Sequence, residues 1–330
     1  MLSIVLPIRL TDDPIDMERL VRLGIRSVDL FLDRSGLHEF IVVANTKDLE
    51  KIRSCIATSA CSLPFRFLNE NIVCPFFDSM GGSGWFRQQV IKIAVAKFVE
   101  SKYLLVLDDD CIMTRPARMS DFFRDGRLLM SHIPVHAHEA FFRASCSVLQ
   151  YPFDFYSTGE IIMNVTPEIL VREVLLGIQR EIEELWNIRN FGEWLLRVSR
   201  GYGDKPSRSI FAPVSARLFK RARKKRALRF SELREKCGEW TEYSLYWTYL
   251  KKHGLRDLYF DYRNDFSVPQ IGDSGVWTDA EASHLNLDHW LARTFGPDQS
   301  HYFSVVSSKI TQIDWRQFID RVSERLSVVS

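Results

Sequence analysis

Apolar positions in the first third of the chain come in short unbroken runs rather than in alternation. Residues 3–8, 39–44 (EFIVVA), 65–68 and 103–107 (YLLVL) are such runs. A strand covered on both faces has no reason to alternate, so each predicts a fully buried strand. Between them, residues 16–32, 46–56 and 85–100 predict helices. In the last, Phe86, Val90, Ile93, Ala94 and Lys97 recur at helical spacing along one face. Strands alternating with helices through short connections predict an α/β fold, a mostly parallel sheet flanked by helices. Such sheets take ligands at the carboxyl ends of their strands. The second half reads differently. Residues 166–200 are dominated by charged helix formers, and 231–253 predict one or two further helices closed by Gly254. A strand-like piece at 302–307 precedes a helix from about Trp315. There is no internal repeat or clear linker. Residues 1–165 and a helical C-terminal elaboration, 166–330, read as one continuous domain.

Composition sharpens this picture only locally. With 330 residues, 46% of them hydrophobic, the chain can bury a large core. Lys and Arg number 44 against 42 Asp and Glu, a net charge of +2, so no global field points to nucleic acid. The exception is 217–229, RLFKRARKKRALR, a basic segment that suits an anionic membrane surface. No nucleic-acid module accompanies it, and no nucleic acid is expected. The six cysteines form no CxxC pair and read as reduced core residues. MLSIVLPIRLTDD lacks a basic leader and a long apolar stretch, and no run reaches the roughly 18 apolar residues of a membrane helix. The expectation is a cytoplasmic protein, peripheral at most at the inner face of the membrane.

The candidate chemistry lies at 103–116, YLLVLDDDCIMTRP. A buried strand delivers three like charges to one point, which is costly unless something positive meets them. In an extended strand residues two apart share a side, so Asp108 and Asp110 would face one site and Asp109 would turn away. Two hard oxygen donors suit Mn²⁺ or Mg²⁺, and such an ion would in turn hold a diphosphate. An isolated acidic triplet is more often a solvated turn; the buried strand before it favours a site. His132, His136 and His138 in HIPVHAH have no partner ligand pair at a zinc spacing, which favours loop packing or substrate contact over zinc.

Residues 84–116, GWFRQQVIKIAVAKFVESKYLLVLDDDCIMTRP, resemble the helix–strand–DxD segment of nucleotide-sugar glycosyltransferases of the GT-A fold, in particular a bacterial surface-glycan type. WTEYSLYWTYL at 240–250 and HYFSVVSS at 301–308 support the resemblance. It implies a GT-A-like, Rossmann-type sheet, a divalent metal, a nucleotide-sugar donor and a glycan or lipid-linked acceptor, in polysaccharide or lipopolysaccharide synthesis. It places the metal on Asp108 and Asp110, with a C-terminal His as third ligand; His284 is favoured over His289 and His301. An inverting transfer needs a general base, for which Glu242 is the candidate and Glu239 the reserve; a retaining one does not. Donor contacts would come from Pro7, Arg9, Asn45, Arg87, Gln88, Lys92 and Asp109, with Gly81, Gly82 and Gly84 ahead of a helix start that favours anions. Gln88 and Lys92, four apart, share a helix face that is otherwise expected to be solvated. Thr158, Glu160, Ser307 and Lys309 are weaker candidates. The competing classes are a Mg²⁺-dependent nucleotidyltransferase or phosphohydrolase and a non-catalytic glycan- or membrane-binding relative. The absence of GxxxxGK[ST] argues against a P-loop ATPase.

Overall fold

The computed structural model describes residues 1–80, 83–200, 230–261, 270–272, 275–297 and 299–329. The basic segment 217–229, Gly81 and Gly82 lie outside these. The centre is a five-stranded sheet in which β1 (Leu2–Pro7), β2 (Leu37–Ala44), β3 (Phe65–Asn69) and β4 (Tyr103–Val106) are parallel. The fifth strand, Glu168–Val171, pairs antiparallel with β4 at the edge. The order across the sheet is 168–171, β4, β1, β2, β3. All six residues of β1 are buried, as are Leu104, Leu105 and Val106 of β4. The unbroken apolar runs therefore mean what they predict, cover on both faces.

The edge strand is a correction to the expectation of helix from 166 onward. EILV is buried along its whole length, and the helix starts only at Arg172. A four-residue strand is too short to show a period of its own against the helical pattern that follows. The rest of the fold class holds, with helices on the sheet and more of them in the second half. The expected 16–32 helix is continuous from Pro14 to Phe31, with a wider π-helical turn at Leu20–Ile25. The helix Gly84–Ala94 tightens into a 3₁₀ turn at Val95–Phe98. It packs against the helices Arg172–Leu185, Phe191–Val198 and Glu242–Lys252. Gly254, at φ +66°, follows the last of these as expected of a residue that ends a helix. A smaller sheet sets β5 (Cys111–Met113) antiparallel to His301–Val305, which brings residues 306–308 back beside the end of β4.

Candidate active site

The sheet order creates the site. The chain runs from β1 through β2 to β3 on one side, then returns to β4 on the other side of β1. The carboxyl ends of β1 and β4 thus flank the point where the winding reverses, the usual ligand crevice of an open α/β sheet. Leu107 still bonds to the ladder, its N–H donating to the Val5 carbonyl at 2.9 Å. The chain then turns at Asp109–Asp110, with the Cys111 N–H donating to the Asp108 carbonyl at 3.3 Å. Strand alternation ends before the aspartates, and each of the three carboxylates finds its own partner. Asp108 meets the Lys92 ammonium at 2.8 and 3.1 Å. Asp109 meets the Arg19 guanidinium at 2.7 Å. Asp110 Oδ2 accepts the Ser308 N–H at 3.2 Å. Each like charge has a separate partner, drawn from a different part of the chain.

Burial followed by the charges of Asp109 and Asp108 pushes the Asp110 carboxyl up to about 8; the Ser308 N–H and Arg19 offset only part of this. Its Oδ1 is buried without a hydrogen-bond partner among the described residues. Lys92 sits between two carboxylates, with Glu242 Oε1 at 2.6 Å on its other side. Burial works against the ammonium, but Asp108 and Glu242 outweigh it and hold its pKa well above the ordinary lysine value. Burial likewise works against the Arg19 charge, and Asp109, with Asp16 and Asp110, outweighs it. Glu242 opens the helix Glu242–Lys252, capped by Thr241, and its N–H donates to Gln89 Oε1 at 2.9 Å. Burial raises the Glu242 pKa and Lys92 offsets this in part. Glu242 Oε2 has no hydrogen-bond partner among the described residues.

A cavity of about 460 Å³ opens over this group. Lys92, Asp108 and Glu242 line it together with Gln89, Asn164 and Thr166. Trp85, Phe141, Trp277 and His138 line it as well. Trp85 lies 6.3 Å from Phe141, whose ring the His138 imidazole stacks on at 5.3 Å. Burial lowers the His138 pKa, with a hydrogen bond to Asn164 acting the other way. The volume is that of a small-molecule site, with a few polar groups converging on an otherwise apolar space.

The other expected residues fall around this centre in distinct roles. Gln88 donates to the Pro7 carbonyl at 3.4 Å, linking the 84–94 helix to the end of β1. Arg87 lies over the Phe77 ring at 4.3 Å and 3.5 Å from Glu70. Asn45 caps the helix Thr46–Thr58, and Arg9 is exposed beyond β1. Lys92 is not on a solvated face, because its helix is packed by other helices on several sides. Glu239 pairs with Arg200 and lies in the turn before the Thr241 cap, so it shares no helix with Glu242. His284 is exposed at the end of the helix Asp279–Ser283, His289 is exposed, and His301 is buried in a strand. Among the described residues no three His, Cys, Asp or Glu side chains converge as a metal-binding group. Glu160 binds Lys251 at 2.6 Å and Arg256 at 2.5 Å. Ser307 is buried, its N–H on the Val276 carbonyl and its Oγ accepting from the Lys309 N–H. Arg19, Gln89 and the aromatic wall were not legible as site residues. Arg19 had one available signal, an arginine on the inward stripe of a helix otherwise occupied by Leu20 and Leu23.

The sequence matches the model described as "Family of unknown function (DUF6492)" over residues 1–328. No curated protein matches it. Among solved structures, mouse xyloside xylosyltransferase 1 in its apo form aligns over 93% of this chain and 97% of its own, at 10% identity and a TM-score of 0.43. The galactosyltransferase LgtC in complex with donor and acceptor sugar analogues aligns over 99% and 96%, at 10% identity and a TM-score of 0.43. No helix among the described residues is long and apolar enough to cross a membrane.

Proposed function

The chain belongs to this family, and from the site geometry we propose that it is a metal-dependent glycosyltransferase, moving a sugar from a nucleotide-sugar donor to a glycan or lipid-linked glycan acceptor. One observation carries the reading. Three aspartates end a buried parallel strand at the reversal point of the sheet, and the first of them lines a cavity sized for a sugar. The donor set fits a hard divalent ion. Asp110 offers a buried, unpartnered carboxylate oxygen whose proton a cation would displace. Asp110, with Asp108, would hold Mn²⁺ or Mg²⁺, which supplies electrostatic stabilisation of the charge that develops on a departing nucleoside diphosphate.

The chain's own residues do the rest. Lys92 keeps a positive charge at the cavity floor and fixes the Asp108 and Glu242 carboxylates in place. Glu242 lines the cavity and keeps Oε2 without a hydrogen-bond partner among the described residues; it is the candidate to accept the proton of an attacking hydroxyl, and its raised pKa suits that transfer. Arg9, exposed past β1, is the candidate for a phosphate contact.

Thermal shift with a panel of sugar nucleotides, with and without Mn²⁺, tests the reading on wild type and Asp110→Asn. Ligand that binds only the native state raises apparent stability with the logarithm of saturation. The expected result is a shift that requires one nucleotide sugar, the metal and Asp110. No shift with any donor, in protein shown to be folded, would sink it.

A further inference from the structure

The cavity beside the aspartates has a sign. Among the described residues one ammonium, Lys92, stands against two carboxylates, Asp108 and Glu242, a balance of one negative charge. His138, the remaining titratable imidazole in the lining, adds no positive charge at neutral pH, since burial favours its neutral form. Glu242 is only 1% exposed, and its Oε2 is a buried acceptor without a partner among the described residues. A buried acceptor left unmatched is costly, and a ligand donor reaching it recovers that cost. The same lining is rich in aromatics: Trp85, 36% exposed, with Phe141 and Trp277. Aromatic faces are electron-rich. They attract the C–H face of a saturated ring and, more strongly, a cationic amine.

We propose that this cavity binds the ring of a neutral or amino-bearing pyranose and rejects an acidic one. The ring lies against Trp85 and its neighbours and donates a hydroxyl or ammonium hydrogen to Glu242 Oε2. A uronic acid would bring a second unpaired negative charge to a floor that already carries one, in surroundings where water screens little. The inference rests on the transferase reading only for which substrate supplies the ring. A donor diphosphate and a divalent ion bring nearly equal and opposite charge, so the balance at the floor stays as it is.

The test is saturation-transfer NMR in metal-free buffer with methyl glucoside, methyl glucosaminide and methyl glucuronide. The protein is wild type, Trp85→Ala and Glu242→Gln, each checked for folding by circular dichroism. Wild type should bind the glucoside and the glucosaminide, the latter at least as tightly, and the glucuronide about tenfold or more weakly. Glu242→Gln removes the floor's excess charge and should narrow that gap, a change that a packing defect would not produce. Trp85→Ala should weaken all bound glycosides together, by about threefold to tenfold. Equal binding of the glucuronide to wild type, unchanged selectivity in Glu242→Gln, or no transfer to any glycoside overturns the proposal. Adding a saturating sugar nucleotide with Mn²⁺ then assigns the ring. Displacement of the glucoside makes it the donor's, co-occupancy the acceptor's, and both keep the proposal. Pyranoside binding lost while nucleotide binding persists defeats this inference alone; the reverse pattern defeats the transferase reading alone.

Discussion

At the scale of single residues, the titratable groups of this chain are governed by what surrounds them more than by their type. Glu168 shows this away from the cavity. It is fully buried in the edge strand, with Oε1 accepting the Ser131 N–H at 2.9 Å and Oε2 without a partner among the described residues. Burial pushes its pKa well above the ordinary carboxyl range. Between the ordinary and the raised value, the folded chain keeps a proton that the unfolded chain has released, so its contribution to stability falls as pH rises through that window. Glu168→Gln keeps the acceptor and removes the titration. Its denaturant midpoint should fall less than that of wild type between about pH 5 and about pH 8; parallel profiles would contradict the assignment. Sequence could not announce this group, because EILV looks like the start of an amphipathic helix. Lys92 was singled out as a candidate for donor contact, but its burial was hidden in the same way. On a helical wheel it is a polar position, and only the helices packed around it turn that position inward.

At the scale of elements, strands and helices of the first half were legible because their apolar runs and periods are long and regular. What escaped was what happens at their ends. The rule that residues two apart share a side holds within β4 and stops at Val106, so it could not place three aspartates in a turn. Caps were similarly invisible in their second role. Asn45 accepts the Asp48 N–H at 2.9 Å, and its Nδ2 donates to Asp48 Oδ2, which also accepts the Leu10 N–H at 3.1 Å. One cap therefore holds the start of the 46–58 helix and, through Asp48, the loop beyond β1. Asn45→Ala should cost about 1 kcal/mol of stability, the ordinary value for an N-cap. Urea denaturation measures it, and hydrogen exchange should report faster opening at Leu10. Exchange at Leu10 unchanged from wild type would separate the loop from the cap.

At the scale of the whole molecule, the aspartate turn is where distant segments meet. Lys92 ties the 84–94 helix to the end of β4 and to Glu242, 150 positions further on. Removing one partner of a buried ion pair leaves charge uncompensated, so Lys92→Met should lose about 3–5 kcal/mol. A denaturant titration that finds less than about 1 kcal/mol, the scale of an exposed pair, would show that water reaches the site. The overall fold was legible from its winding, whereas this convergence was not, since no local pattern links residues 19, 92, 109, 242 and 308. It also sets an order of events. Ser308, which bonds Asp110, is made 198 residues after it. At roughly 5–20 residues per second the ribosome needs about 10–40 s to supply it. Asp108 and Asp109 already have Lys92 and Arg19 made before them, but during that interval Asp110 has no Ser308 N–H to meet, and the carboxyl end of β4 cannot take its final form. The turn that would hold the substrate is thus among the last parts of the molecule to be completed as the chain is made.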